Sequence, residues 1–557
     1  MSQPPPQGSP GEQGGFGAPY EPQPGVYGEP VRPQPQHQPH PGPYGQPAQA
    51  SQPYGYPQPP TVPYGQPQPQ PQHQPSGGRS RGRGAGLVAA VLAGVLVVGT
   101  GVWFAVGGDD TDDKKPGVAK GSTAPKEPSA DPGPEMTPAA GAAELNKGRK
   151  DGEAKVRWVQ KNGVDLPEKG VAVRGPWVAG DIVAKAMYRT ASGYSVEGGA
   201  RKWSLRLPTD VCAAPTLPSA DGKIVVGLRT DTDEGAACDR LQMIDLTTGK
   251  AGWTAELDRS GMQDGLSDIV MAVNGDVLTV GRTTRTDAYR IGDGKHLWDR
   301  LPGFCQPYGF TGGDVPLAAV DCRKAPGDDD TADEEVRRMD PATGRTVWTY
   351  KVKKGWKIDQ FYSVDPPVVS LRQGDLEPKW AIALLNDDGT YRAQPIPGKE
   401  NFEVRCGEQG ENIDNCIGAA ADADTLYLAT QPAPVDRELT NAVVAFDMST
   451  GKVKWKVPAP PMQTLQPMRV EDGKVLLYLS PPATKARTGG GIMALGPQGG
   501  ALQPVLRHPA SAVEAERGMF EPVIRYSGGR SLIATTYVSS DSDEEEMDMR
   551  TMIAFGD

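Results

Sequence analysis

The sequence predicts an all-β protein, an eight-bladed β-propeller, carried behind a disordered tail and one membrane-spanning helix. Three observations predict it. A phrase of the form apolar–Asp–x–x–Thr–Gly–basic–x–x–Trp occurs at residues 243–253, 338–348 and 445–455. Its glycine recurs in looser copies at Gly199, Gly294, Gly389 and near Gly499, at intervals of roughly 45–60 residues, the period of a propeller or similar array. Between the copies lie short β-rich runs, "KIVVGL", "DVLTVG", "TLYLAT" and "KVLLYL", each entered through a tight turn such as "ADG", "NGD", "DAD" or "EDG".

The chain has 557 residues, more than one ordinary domain needs, and a formal net charge of −11, which argues against nonspecific nucleic-acid binding. Residues 1–78 are Pro, Gln, Gly and Tyr with almost nothing aliphatic. Such a segment cannot bury enough apolar surface to offset its ordering entropy, so it reads as a disordered cytoplasmic tail with polyproline II character. Its three histidines, His37, His40 and His73, stand singly among Gln and Pro and make no metal site. A basic juxtamembrane segment, 79–84, contributes Arg79, Arg81 and Arg83. Residues 85–106 are uncharged and at 1.5 Å per residue span about 30 Å, one hydrocarbon core. They start too far from the terminus for a cleaved signal, so they read as a transmembrane anchor. The arginines favour a cytoplasmic N-terminus, and the cysteines favour an extracytoplasmic C-terminal part. Residues 107–150 read as a flexible linker with a reach of roughly 35 Å.

The propeller occupies 151–557. Each unit is a run of about four strands. The repeated phrase is the turn into the outermost strand, where Asp bonds the turn backbone and Gly tolerates positive φ. The tryptophan then stands on that outer strand and packs on the next blade; Trp203, Trp253, Trp298, Trp348 and Trp455 are assigned this structural docking role. Seven units are glycine-centred. "FEPVIRY", "RSLIATTYV" and "RTMIAFGD" supply three strands of an eighth. "AKVRWVQK", residues 154–161, looks like an outer strand without its preceding turn, so Trp158 belongs to the blade that the C-terminus completes. Seven blades is the rival count.

The phrase resembles the tryptophan-docking repeat of the PQQ-like (quinoprotein-type) propeller family. That family holds quinoprotein alcohol dehydrogenases and non-enzymatic relatives, including a scaffold subunit of the outer-membrane protein assembly machine. The whole layout resembles bacterial envelope proteins of this group, which implies a bacterial cell-membrane location. The family's enzymes set an adjacent Cys-Cys disulfide and a stacked tryptophan against the quinone and hold Ca²⁺ with acidic and amide side chains. This sequence has no adjacent cysteines and no compelling calcium-ligand cluster, so PQQ is disfavoured and no cofactor, metal or catalytic residue is assigned.

Loops between the second and third strands of the units are long, and they share one face with the connections between blades, where binding residues tend to collect. The six cysteines, Cys212, Cys238, Cys305, Cys322, Cys406 and Cys416, allow 15 connectivities. The blade layout favours sequential pairing, 212–238, 305–322 and 406–416, all on that face. Acidic residues gather there too: Asp328, Asp329, Asp330, Asp333, Glu334 and Glu335, then Asp541, Asp543, Glu544, Glu545, Glu546 and Asp548. They read as mobile solvated loops, with a cation or a basic partner as the alternative. His296 and His508 neighbour no nucleophile motif, and no phosphate-binding glycine loop occurs. The expectation is a non-catalytic extracytoplasmic propeller that binds a protein or envelope ligand, as scaffold or sensor. A quinoprotein-like oxidoreductase is the alternative, with a two-carboxylate glycan hydrolase or lyase a further one.

Overall fold

The computed structural model describes residues 138–557, except for 168–169, 234, 260–263, 265, 284, 324–332, 375–377, 407–411, 415, 436–437 and 485–487. The tail, the basic segment and the membrane span read at 85–106 lie outside the described residues. Among the described residues no helix is long and apolar enough to cross a membrane.

Eight four-stranded antiparallel meanders make the wheel. In chain order, from innermost strand A to outermost strand D, blades 1 to 7 fall within 171–206, 211–256, 270–298, 306–351, 357–393, 419–458 and 465–507. Blade 8 takes three strands from the C-terminus, Val523–Ser527, Arg530–Ala534 and Arg550–Gly556, and its fourth from Lys155–Lys161. Trp158 stands opposite Ala554 in that pairing. The count is eight, and the N-terminal strand closes the ring.

Burial follows strand position. Strand B of blade 2, Lys223–Arg229, is buried from Ile224 to Leu228, whereas strand D, Ala251–Glu256, alternates exposed with half-buried. A middle strand is covered by neighbouring blades on both faces and reads as a continuous apolar run. An outer strand meets its neighbour on one face and water on the other.

The repeated phrase is explained by the contact between blades. In blade 2, Asp245 accepts hydrogen bonds from the amides of Thr247 and Thr248 at 2.9 and 3.1 Å. Gly249 then turns at φ +71°. The Trp203 indole of blade 1 lies on that glycine, where a Cβ would meet the ring at 2.5 Å, and its Nε1 donates to the Leu246 carbonyl at 2.8 Å. The same step joins Trp158 to Gly199, Trp253 to Gly294 and Trp455 to Gly499, each indole donating to a carbonyl of the same turn. Trp298 donates to Pro341, with Leu301 closest to Gly344. Trp348 packs on Gly389, but its Nε1 has no hydrogen-bond partner. Blade 5 carries no docking tryptophan; the Gln394 carbonyl lies against Gly451 instead, and the Ile396 amide donates to the Gly451 carbonyl at 2.8 Å.

Two features differ from the sequence reading. The folded part begins before 151, because Pro138–Asn146 is a helix. Ala142 is buried, and the Asn146 side chain both accepts from and donates to the Val156 backbone, at 2.9 and 2.7 Å. Its short, Ala-rich sequence carries little periodicity, and the contacts that hold it come from the closing strand. Part of each acidic stretch also lies in a regular element rather than in a loop. Glu334 and Glu335 lie on strand C of blade 4 and are buried; Asp328, Asp329 and Asp330 lie outside the described residues. Asp543–Asp548 is a helix capped by Ser542, and buried Glu546 accepts from the Leu166 amide at 2.9 Å.

Candidate functional site

The inner strands of a propeller leave one backbone edge facing the central channel. Among the described residues two segments occupy that channel. The first is the connection between blades 5 and 6, whose hairpin Arg405–Cys406 and Cys416–Ile417 is stapled by the Cys406–Cys416 disulfide. Its tip reaches across to other blades. Asn412 accepts from the Met271 amide at 2.9 Å and donates to the Ala214 carbonyl at 2.8 Å. Asp414 accepts from the Gly312 amide at 2.6 Å and from the Thr216 hydroxyl at 3.3 Å. The Ile413 carbonyl accepts from the Phe361 amide at 2.7 Å. The hairpin is therefore a plug, tied to blades 2, 3, 4 and 5. The second segment is Tyr537–Val538, from the B–C connection of blade 8, which pairs with Val171 and Ala172 on the inner edge of blade 1.

Between plug and wall, on the side of blades 7, 8, 1 and 2, two adjoining cavities remain. They share Arg174, Trp177, Thr216, Val523, Arg525 and Thr536. The larger encloses about 500 Å³ and is also lined by Arg405, Met468, Arg469 and Phe520. The other is about 190 Å³ and meets Asn412 of the plug. Burial pushes Asp414 above the usual carboxylate range, against the hydrogen bonds from Gly312 and Thr216. Burial draws Arg525 below the usual guanidinium value, with Asp414 opposing that shift and Arg469 adding to it.

The cysteines form Cys212–Cys238, Cys305–Cys322 and Cys406–Cys416, at sequence separations of 26, 17 and 10. The first two tie strand A regions of blades 2 and 4 to their B–C excursions, and the third holds the plug. The docking tryptophans lie between blades, and none of the six lines the channel cavities.

His508 sits in an arrangement that its sequence neighbours did not announce. Its Nε2 is 2.7 Å from Ser531 Oγ and its Nδ1 is 3.0 Å from Glu516 Oε1. Tyr478 donates to the same glutamate oxygen at 2.7 Å, and the imidazole stacks on Phe555. A Ser–His–carboxylate row is the geometry of acyl transfer, but nucleophilic work needs an approach for substrate and oxyanion donors. Ser531 is 0 % exposed, and His508 and Glu516 are 1 % and 2 % exposed. The row joins blades 7 and 8 as a buried hydrogen-bond network.

Sequence reasoning missed the channel arginines and the plug. The one available signal was the interval from Gly389 to Gly451, longer than its neighbours, which holds the extra residues of the plug. Strand A arginines carry no such signal, because an inner strand's neighbours are known only once the ring is drawn.

A search of curated proteins finds no match to this chain. Among solved structures, BamB from Moraxella catarrhalis aligns with 71% of this chain and 99% of its own, at 14% identity and a TM-score of 0.38. Quinohemoprotein alcohol dehydrogenase from Comamonas testosteroni aligns with 75% of this chain and 80% of its own, at 14% identity and a TM-score of 0.38. A europium-containing methanol dehydrogenase aligns with 76% of this chain and 95% of its own, at 10% identity and a TM-score of 0.39. The family described as outer membrane protein assembly factor BamB matches residues 150–301 and 332–503, more than half of the 557-residue chain. With its tryptophan-docked eight-bladed wheel, this chain belongs to that PQQ-like β-propeller family.

Proposed function

We propose that this chain is a single-pass membrane protein whose extracytoplasmic propeller binds a protein partner, without chemistry, on the face that carries its long loops. The observation that carries the reading is an exposed two-stranded hairpin in the B–C excursion of blade 6, Ala433–Val435 paired with Glu438–Thr440. A two-stranded ribbon of this length is marginal alone and has open backbone edges. It displays Val435 and Leu439 at 56% and 52% exposure. Apolar side chains beside an unpaired strand edge suit strand addition by a partner. Membership of the BamB family supports a scaffold role, and the anchor read at 85–106 would hold the wheel at an envelope membrane.

The channel does not suit the quinone chemistry of the family's enzymes. No disulfide joins adjacent cysteines. Trp177, the tryptophan that lines the channel cavities, donates its indole N–H to the Pro215 carbonyl at 2.9 Å. Asp414 is engaged by Gly312 and Thr216, and among the described residues it belongs to no cluster of metal-ligating side chains.

Photocrosslinking of the full chain in its native membrane tests the docking reading. A photoreactive residue at Val435 or Leu439 is expected to give a discrete protein adduct. The same residue at Val347 or Val453, 58% and 48% exposed on outer strands, is expected to give none. Adducts at neither pair, or equally at both, would overturn the proposal.

A further inference from the structure

The larger channel cavity collects positive charge from four separate elements; Arg174, on strand A of blade 1, donates to the Cys212 carbonyl at 3.2 Å. Arg405 comes from the plug, Arg469 from strand A of blade 7 and Arg525 from strand A of blade 8. Arg469 is already committed: it pairs with Glu471 at 2.6 Å and lies over the Tyr526 ring at 5.8 Å. The side chains of Arg405 and Arg525 make no hydrogen bond or ion pair among the described residues. A guanidinium carries five donors in a fixed fork, and leaving that fork unpaired in a half-enclosed space is unfavourable. The negative group that acts on Arg525 is Asp414, whose oxygens already accept from Gly312 and Thr216. Asp414 is thus already engaged by the plug's own anchoring bonds. Arg469 and Arg525 also repel each other. An oxyanion placed between the forks would relieve that repulsion and fill the open donors.

Much of the remaining wall is apolar, with Thr216, Thr536 and the exposed carboxylate of Glu521 among its polar members. Met468, Ile417, Phe520 and Trp177 line the same space, and Phe520 remains 53% exposed. A volume of about 500 Å³ lies within the range of sites that bury most of a small organic molecule. A bare inorganic ion would use the arginines and leave this apolar surface wet.

We propose that the cavity binds an organic anion, with a carboxylate or phosphate head held by Arg405 and Arg525 and a flat apolar body laid against Met468, Phe520 and Trp177. The site is distinct from the hairpin of blade 6, so failure of either proposal leaves the other standing.

Calorimetric titration of the full chain in phosphatidylcholine nanodiscs tests it. The probes are 1-naphthyl phosphate, 1-naphthoate, the uncharged 1-naphthol and inorganic phosphate. The expected result is saturable one-to-one binding of at least one naphthyl anion, at least tenfold tighter than 1-naphthol or inorganic phosphate. Which anion binds identifies the head group. Arg525→Gln and Arg405→Gln are each expected to weaken it about tenfold or more, whereas Arg345→Gln, on an exposed turn of blade 4, leaves it unchanged. A second measurement needs no variant: phenylglyoxal modifies Arg405 and Arg525 in the parent chain, and the bound naphthyl anion protects both. Absence of saturable binding overturns the proposal. So does equal binding of 1-naphthol, affinity that the two arginine variants leave within twofold, or modification that the probe does not slow.

Discussion

Lys185 sits on strand B of blade 1, 4% exposed, with its ammonium donating to Thr551 Oγ1 at 2.6 Å. Burial lowers its pKa from the usual 10.5 to about 7. In the unfolded chain the amine holds its proton to about pH 10.5, whereas the folded chain releases it near pH 7. Between those values the unfolded state binds more protons, so stability rises with pH across that window. Below pH 7 both states are protonated and the penalty is constant, on the order of a few kcal/mol. Lys185→Met removes the penalty. The variant is expected to melt above the parent at pH 6, with the gap closing as pH approaches 10. A gap that is the same at every pH would contradict this account. Glu334 runs the opposite way. Burial raises it to about 7, against hydrogen bonds from the Ile358 amide and the Tyr308 hydroxyl. Its contribution falls as pH rises from about 4.5 to 7, so Glu334→Gln should stabilise the fold most at pH 8, as read by thermal unfolding.

Among elements, the turn between strands C and D carries the contact from one blade to the next. Gly249→Ala would place a methyl 2.5 Å from the Trp203 ring at a φ of +71°. Gly275→Ala, at φ +60° with no neighbour within 4 Å, meets only the backbone strain. The second is expected to cost about 1 kcal/mol and the first about 2–4 kcal/mol in chemical unfolding. Equal costs would show that the tryptophan contributes no packing there. This element was legible in the sequence because one contact is repeated, so its residues recur at a fixed interval. Trp158 was legible for the same reason, even without its turn. The plug occurs once and its hairpin is two residues a side. Its fixing bonds go to residues 141 to 198 positions away in the case of Asn412, so no local pattern records it. Arg405 and Arg525 were illegible on the same grounds: each is a single half-buried residue whose surroundings come from other blades. The helix Pro138–Asn146 was read as linker because its stability is tertiary.

For the whole molecule, closure is the property that makes eight small sheets one folding unit. Strand C of blade 8 pairs with Arg530–Ala534 on one side and with Lys155–Lys161 on the other. Deleting 550–557 strips partners from both and leaves open edges at the seam. The truncated chain is expected to lose cooperative unfolding and to aggregate, as seen by calorimetry and size-exclusion chromatography. Deleting 138–149 instead leaves the ring paired and should lower the melting temperature by only a few degrees. A truncated chain that still melted in one sharp transition would show that blades 1 to 7 hold without the seam.

The pairing of the first strand with the last also sets a timetable. During synthesis Lys155–Lys161 emerges well before its partner Arg550–Gly556, and Arg157 reaches a backbone carbonyl 400 positions on. At roughly 5–20 residues per second, that edge waits at least about 20 seconds for its mate. Throughout that interval the nascent chain presents Trp158 and a bare strand to its surroundings. A holding chaperone acting on this protein therefore has an obvious place to bind, and it is displaced when the partner strand arrives.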